Sequence, residues 1–201
     1  MRAVKIARTL VVVAGCLVGT AASAQVAPEE VSILYLSSNG RGCPPGTVEA
    51  DVRDDGLHFI GLTGLVAQVG PGIPPVESRR DCQVSVLLGM PDGYTYAIAG
   101  VAYRFRLALG PGSRARARDL HYYRGMAALP ASIIEARGPR DGDWVLDAAT
   151  ADDAQQWIPC GAARTLNVSA QVLVQRDGAA AGAAALDGDV VYRLAFRPCT
   201  P

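Results

Sequence analysis

Apolar and polar residues alternate along two long segments of the chain. Val101, Tyr103, Phe105, Leu107 and Leu109 interleave with Ala102, Arg104, Arg106 and Ala108, and Leu166, Val168, Ala170, Val172 and Val174 interleave with Asn167, Ser169 and Gln171. A period of two places one set on a buried face and the other on a wet face, the pattern of a half-buried strand. Shorter strands are predicted at 31–36, 46–52, 57–62, 83–88, 94–99 and 190–196. Turn signals separate them: Asn39-Gly40, Asp55-Gly56, Asp92-Gly93, Gly110-Pro111-Gly112, Gly138-Pro139, Asp141-Gly142 and Asp187-Gly188. Many short strands without a sustained 3.6-residue pattern predict an all-β fold, an antiparallel β-sandwich. A helix is expected only around 148–156. The stretch 179–185, alanines around a single glycine, reads as a mobile loop, and 71–75 as an irregular connection with three prolines.

The beginning of the chain follows a different pattern. Arg2, Lys5 and Arg8 precede an apolar run over 10–18, and Ala22-Ser23-Ala24 offers a small-residue cleavage site. The run is too short to span a bilayer, so 1–24 is expected to be a removable signal peptide and 25–201 a single secreted domain without a transmembrane segment. The expected location is extracellular or periplasmic. Val13-Ala14-Gly15-Cys16 also resembles a lipobox, which would make the protein a lipoprotein anchored through Cys16. That reading leaves an apolar run of only about seven residues, at the low end for an export signal.

Removing 1–24 removes Lys5, the sole lysine, and leaves 16 arginines against 19 acidic residues, a net charge of −3. Such a balance argues against nucleic acid as a partner, since general nucleic-acid binders carry a clear basic excess. Four cysteines remain, Cys43, Cys82, Cys160 and Cys199, as expected of a disulfide-stapled exported domain. None sits in a C-x-x-C or near a histidine, so no metal is expected there. Four cysteines allow three pairings, and the spacing does not choose among them. The nested arrangement, Cys82 with Cys160 and Cys43 with Cys199, is the preferred expectation because it would tie the last strand to the first.

The contexts of these cysteines carry a resemblance. Ser78-Arg79-Arg80-Asp81-Cys82-Gln83-Val84-Ser85-Val86, followed by Pro91-Asp92-Gly93-Tyr94 and Tyr96-Ala97-Ile98, resembles the core signature of the secreted family called domain of unknown function 4360. Gly42-Cys43-Pro44 with Gly46-Thr47-Val48 is similar to that family's opening. Trp157 with Pro159-Cys160-Gly161 and Leu166-Asn167-Val168 is similar to its later half, and 192–199 to its closing strand. Tyr103-Arg104-Phe105 departs from the Tyr-Arg-Gly of many members. The resemblance implies an exported, disulfide-bonded domain and supplies no catalytic residues.

Candidate chemistry is sparse. Neither His58 nor His121 stands in an H-E-x-x-H or beside a G-x-S-x-G elbow, and both are read as structural. Acidic pairs occur at Asp54-Asp55, Asp141 with Asp143, Asp152-Asp153, and Asp187 with Asp189. Most adjoin a glycine, so turn chemistry is the first reading, ahead of a glycosidase pair or calcium ligation. Asn167-Val168-Ser169 matches a glycosylation acceptor but lies within a predicted strand. No catalytic residue, cofactor or metal is assigned.

The sharpest local pattern is five arginines, each at an even position, flanking one turn: Arg104 and Arg106 before Gly110-Pro111-Gly112, then Arg114, Arg116 and Arg118 after it. If Leu109 pairs with Ser113, Arg106 lies opposite Arg116 and Arg104 opposite Arg118, and all five share one face of a hairpin. Like charges so close need compensating acids or a ligand. The first reading is a solvated outer face paired with acids such as Asp119, Asp141 or Glu135; the sharper one is an anionic partner, an acidic polysaccharide or phosphate-bearing envelope polymer, since guanidinium forks match carboxylate and phosphate. Tyr94 and Tyr96 are expected to pack inward, and one of Tyr122 and Tyr123 to be exposed. The reading is a non-catalytic binding or structural module, with a secreted polysaccharide-acting hydrolase as the alternative.

Overall fold

The computed structural model describes residues 30–199. The expected export signal, 1–24, and the alternative anchor at Cys16 lie outside the described residues. In chain order the strands are β1 (Ser32–Asn39), β2 (Glu49–Arg53), β3 (Gly56–Ile60), β4 (Val66–Val69), β5 (Arg79–Gly89), β6 (Tyr94–Leu109), β7 (Ser113–Tyr123), β8 (Ser132–Arg137), β9 (Arg140–Ala149), β10 (Leu166–Arg176), β11 (Gly182–Leu186) and β12 (Val190–Pro198). They form two packed antiparallel sheets, as the alternation predicts. The first, sheet A, has the order β1-β5-β10-β7-β8. The second, sheet B, runs β2-β3-β12-β6-β11-β4, with β9 on the other side of β6.

Strand β6 organises sheet B. The two runs read separately from the sequence, 94–99 and 101–109, are one strand of 16 residues. Its inward odd positions, Val101, Tyr103, Phe105, Leu107 and Leu109, are all buried, while Arg104, Arg106 and Ala108 are exposed. One side of β6 is taken by β9. Along the other side runs β12 and then β11, the two separated by an outward loop at Asp187-Gly188-Asp189. No edge of β6 remains for β7. The link through Gly110, Pro111 and Gly112 therefore carries the chain across to sheet A, where β7 pairs with β10 and β8. The expected hairpin does not form.

Three other expectations are corrected. Residues 148–156 are not helical: Ala148 and Ala149 end β9, and only a short 3-10 turn follows at Asp152–Ala154. The segment is drawn out along β6 by Thr150 N donating to Ala99 O (2.8 Å), Ile158 N to Tyr96 O (3.3 Å) and Thr95 Oγ1 to Ile158 O (2.6 Å). These tertiary bonds outweigh a weak local helix preference. The alanine stretch around 179–185 is not simply a loop, because Gly182–Leu186 forms β11 between β6 and β4, with Ala184 fully buried.

The disulfides are Cys43–Cys82 and Cys160–Cys199, not the nested pair. Each joins backbone segments that the sheets already hold side by side. Asn39 of β1 pairs with Gln83 of β5, and Gly42 N donates to Asp81 O at 2.8 Å, which lays the Cys43 loop against the start of β5. Gly40, at φ 132°, permits this approach; a Cβ there would lie 2.4 Å from Asp81 O. Cys199 N donates to Gly93 O (2.7 Å), while the 158 backbone bonds Tyr96, so the second bridge closes over the start of β6. Each bridge spans 39 residues, worth about 4 kcal/mol in the chain-entropy account.

Between the sheets lies a mostly apolar core with one polar cluster. Asp119 of β7, 1% exposed, points inward from sheet A. Its Oδ1 accepts from Tyr103 of β6 at 2.7 Å and from Tyr192 of β12, the two phenols themselves being 2.8 Å apart. Its Oδ2 meets His121 Nδ1 at 2.9 Å. A carboxylate rooted in one sheet thus accepts from two hydroxyls of the other. Removing it strands these hydroxyls, and the loss of one partner from a buried charged set costs several kcal/mol.

Asp119→Ala is expected to lower stability by about 3–5 kcal/mol and Tyr103→Phe by about 1.5 kcal/mol, measured by urea denaturation; an unchanged midpoint for Asp119→Ala would refute the clasp. A second expectation concerns alkaline pH. Burial holds the hydroxyls of Tyr96, Tyr103, Tyr123 and Tyr192 above the ordinary tyrosine range, and negative charge on Asp119 pushes Tyr103 and Tyr192 the same way. The folded state therefore binds more protons than the unfolded chain, whose tyrosines titrate near about 10. This contribution is complete below about pH 10 and is lost as pH rises past it. The tyrosinate absorbance of these four residues should appear only together with loss of the fold.

Candidate functional site

The two outer faces of the sandwich differ in charge, and the five arginines singled out in the sequence are divided between them. On β7 the inward residues are Ser113, Ala115, Ala117, Asp119, His121 and Tyr123, all buried. Alternation then turns Arg114, Arg116, Arg118 and Tyr122 outward from sheet A. Arg104 and Arg106 turn outward from sheet B, on the opposite side of the molecule. The common face expected from a hairpin is absent.

On sheet A the register gathers a different set around the β7 arginines. Arg114 stands between Arg137 of β8 and Gln175 of β10; Arg116 lies between Glu135 and Leu173, with Arg79 of β5 beyond Leu173. Arg118 lies beside Ile133 and Gln171, with Asp81 next to Gln171. Partial compensation comes from Glu135, 3.6 Å from Arg116, and from Asp177, 3.8 Å from Arg114. Arg114 Nε also donates to Gln175 Oε1 at 3.0 Å, and Arg79 reaches the Gln171 amide oxygen at 2.7 Å once that amide is turned to accept. Among the described residues, the Arg118 and Arg137 guanidinium groups have no hydrogen-bond or ion-pair partner. In this set five arginines stand against three acids, Asp81, Glu135 and Asp177, so the face keeps its cationic character.

Further along the same face a row of uncharged side chains crosses the sheet. Tyr122, Asn167, Ser85 and Ser37 form one row across β7, β10, β5 and β1. Ser85 Oγ donates to Asn167 Oδ1 at 2.8 Å, and Tyr35 OH to Ser37 Oγ at 3.0 Å. Tyr35, Ser85, Tyr122, Arg124, Thr165 and Asn167 surround an open depression of about 590 Å³. Tyr122 is half-buried and Tyr123 buried, in keeping with the expectation that one of the two would reach solvent.

On the outer face of sheet B most arginines meet acids, and Arg104 is the exception, with no hydrogen-bond or ion-pair partner among the described residues. Arg106 pairs with Asp187 (3.1 Å) and Asp143 (3.6 Å), Arg193 with Asp147 (2.7 Å), and Arg53 with Asp51 (2.9 Å) and Asp189 (3.2 Å). The outward loop between β11 and β12 supplies Asp187 and Asp189. Arg104, Asp147, Asp187 and Asp189 line a depression of about 520 Å³. At its rim His58 is held between Asp55 (Nε2 to Oδ1, 2.7 Å) and Asp189 (Nδ1 to Oδ2, 3.3 Å). The hydrogen bond with His58 keeps the Asp55 carboxyl below the usual carboxylate range. The imidazole itself is buried and enclosed by these partners, so His58 locks β3 to the turn before β12. Three of the four acidic pairs noted in the sequence supply a partner in these contacts: Asp55, Asp143, and both Asp187 and Asp189.

Arg79, Arg137, Gln175 and Tyr35 had no place in the sequence-based site. Gln171 and Asn167 were visible as the wet side of the β10 alternation, and Arg79 opens the Arg79-Arg80-Asp81-Cys82 motif. What the sequence lacked was the pairing that sets them beside β7. The other resembling motifs, Pro91-Asp92-Gly93-Tyr94 and Pro159-Cys160-Gly161, meet around the start of β6 at the Cys160–Cys199 bridge, where they line a depression of about 310 Å³.

The profile of the family described as "Domain of unknown function (DUF4360)" matches residues 29–199. An "Uncharacterized secreted protein" of Arthroderma benhamiae is 31% identical over 146 residues, 72% of this chain and 60% of the relative. The chain thus spans about three fifths of the length of the curated relative it matches.

Proposed function

The chain belongs to the family of the domain of unknown function DUF4360, and from that premise we propose that it is an exported, non-catalytic binding module that engages an anionic polysaccharide or envelope polymer through the outer face of sheet A. The observation that carries this reading is the run Arg114, Arg116, Arg118 on one strand, flanked in register by Arg137 and, one strand beyond β10, by Arg79, and only partly compensated by Glu135, Asp81 and Asp177. Guanidinium groups fixed on a sheet present donors at regular spacing to a chain of carboxylates or phosphates. Export is directed by 1–24, which is then removed, with lipidation of Cys16 as the alternative. Two disulfides and the description of the fungal relative as secreted support an oxidising location.

The hydrolase alternative would draw on Asp143, Asp147, Asp187 and Asp189 around the sheet B depression. Each of these is already ion-paired with a guanidinium, and Asp189 with an imidazole as well. That arrangement serves the surface's own charge balance, and support for the binding reading is correspondingly greater.

The test is co-sedimentation of the purified protein, disulfides intact, with acidic and neutral polysaccharides, scoring bound protein and released sugar together. Binding to acidic polymers alone, weakening as salt rises, is expected. Arg116→Glu with Arg118→Glu should reduce it about tenfold or more, whereas Arg104→Glu with Arg106→Glu should leave it nearly unchanged. The reverse sensitivity, or release of sugar, would overturn the proposal.

A further inference from the structure

The depression between Tyr35 and Tyr122 differs from the arginine track beside it, and the difference identifies a chemical class. Its walls are two phenol rings on strands β1 and β7, separated by three strand spacings, about 14 Å. Tyr35 is 52% exposed, so about half of the residue is open to solvent. Its floor is the Ser85–Asn167 pair, in which the amide oxygen is occupied at 2.8 Å while the amide nitrogen has only Thr165 O at 3.4 Å. Its rim carries Arg124.

The backbone around Arg124 is pinned. Arg124 N donates to Thr165 O at 2.8 Å, and Arg124 O accepts from Arg164 Nη1 at 2.8 Å. Gly125, at φ 78°, completes the turn, where a Cβ would lie 2.8 Å from Arg164 Nη1. The Arg124 side chain lines the depression and has no hydrogen-bond or ion-pair partner among the described residues.

A phosphate chain would use the arginine and leave the rings idle, and a neutral sugar would use the rings and leave the arginine idle. A pyranose bearing a carboxylate uses all three: C–H faces on phenol, hydroxyls on the amide and serine, carboxylate on the guanidinium. We propose that this depression is a subsite for a uronic-acid unit, so that the polymer bound by sheet A is a uronate-bearing polysaccharide. The inference rests on the anionic-polymer reading above. The two regions are continuous, since Tyr122, Arg118, Arg116 and Arg114 project from the same side of β7 over about 27 Å.

The experiment compares binding of the intact protein, and of Tyr122→Ala, Tyr35→Ala and Arg124→Gln, to polygalacturonate, polyphosphate and dextran, with unfolding temperature as a check that each variant is folded. Polygalacturonate should bind more tightly than polyphosphate at equal charge concentration. Either tyrosine variant should lose about tenfold on polygalacturonate and nothing on polyphosphate. Arg124→Gln should narrow the preference for polygalacturonate over dextran. Equal binding of the two polyanions, insensitive to the tyrosines, would overturn the subsite and leave the anionic-polymer reading standing. Binding to neither polyanion would overturn both.

Discussion

The inward carboxylate of Asp119 is the constraint on which the rest of the arrangement depends. Strand β7 has small residues, Ala115 and Ala117, along much of its buried side, so apolar contrast alone would specify its facing only weakly. The hydroxyls of Tyr103 and Tyr192 make the choice decisive. Asp119 turned outward would leave both without their shared acceptor in the core, and the same one-residue slip would bury Arg114, Arg116 and Arg118. A single buried acid therefore determines that three arginines and Tyr122 face solvent. Structure and proposed binding surface are specified by one register.

The disulfides act within this frame rather than across it. Both bridges link segments already adjacent through β5 or β6, and neither joins the two sheets' central strands. The sandwich is held across its middle by the core and the Asp119 cluster, and the bridges fasten the loops around its ends. The motifs shared with the family belong largely to those fastenings, which explains why a resemblance resting on cysteine contexts foretold a disulfide-bonded scaffold without pointing to a ligand surface.

Alternation in 101–109 and 166–174 was enough to read the strands, their buried sides and the sandwich class, because side-chain period is a local property. Partner choice is not local. Gly110-Pro111-Gly112 has the spacing of a hairpin turn, yet the occupied edges of β6 send β7 to the other sheet, and Arg104 and Arg106 part from Arg114, Arg116 and Arg118. The nested disulfides failed for the same reason, since Cys43 and Cys82 approach only through the β1–β5 pairing. Residues 148–156 and 182–186 lacked periodicity of their own and took their conformation from β6. Of the site, Arg114, Arg116, Arg118 and an exposed Tyr122 or Tyr123 were legible; Arg79, Arg137 and Tyr35 required the sheet order.

The loop at Asp187-Gly188-Asp189 has an effect at the scale of the whole molecule. By placing acids over Arg106 and Arg53 it quiets much of one broad side of a thin slab, where Arg104 still lacks a partner among the described residues, while the other broad side keeps an excess of guanidinium groups. The slab is consequently polarised through its thickness. On the binding reading proposed above, such a particle would settle on an acidic matrix in one orientation, cationic side down, and a full layer would show the surroundings its more nearly neutralised side.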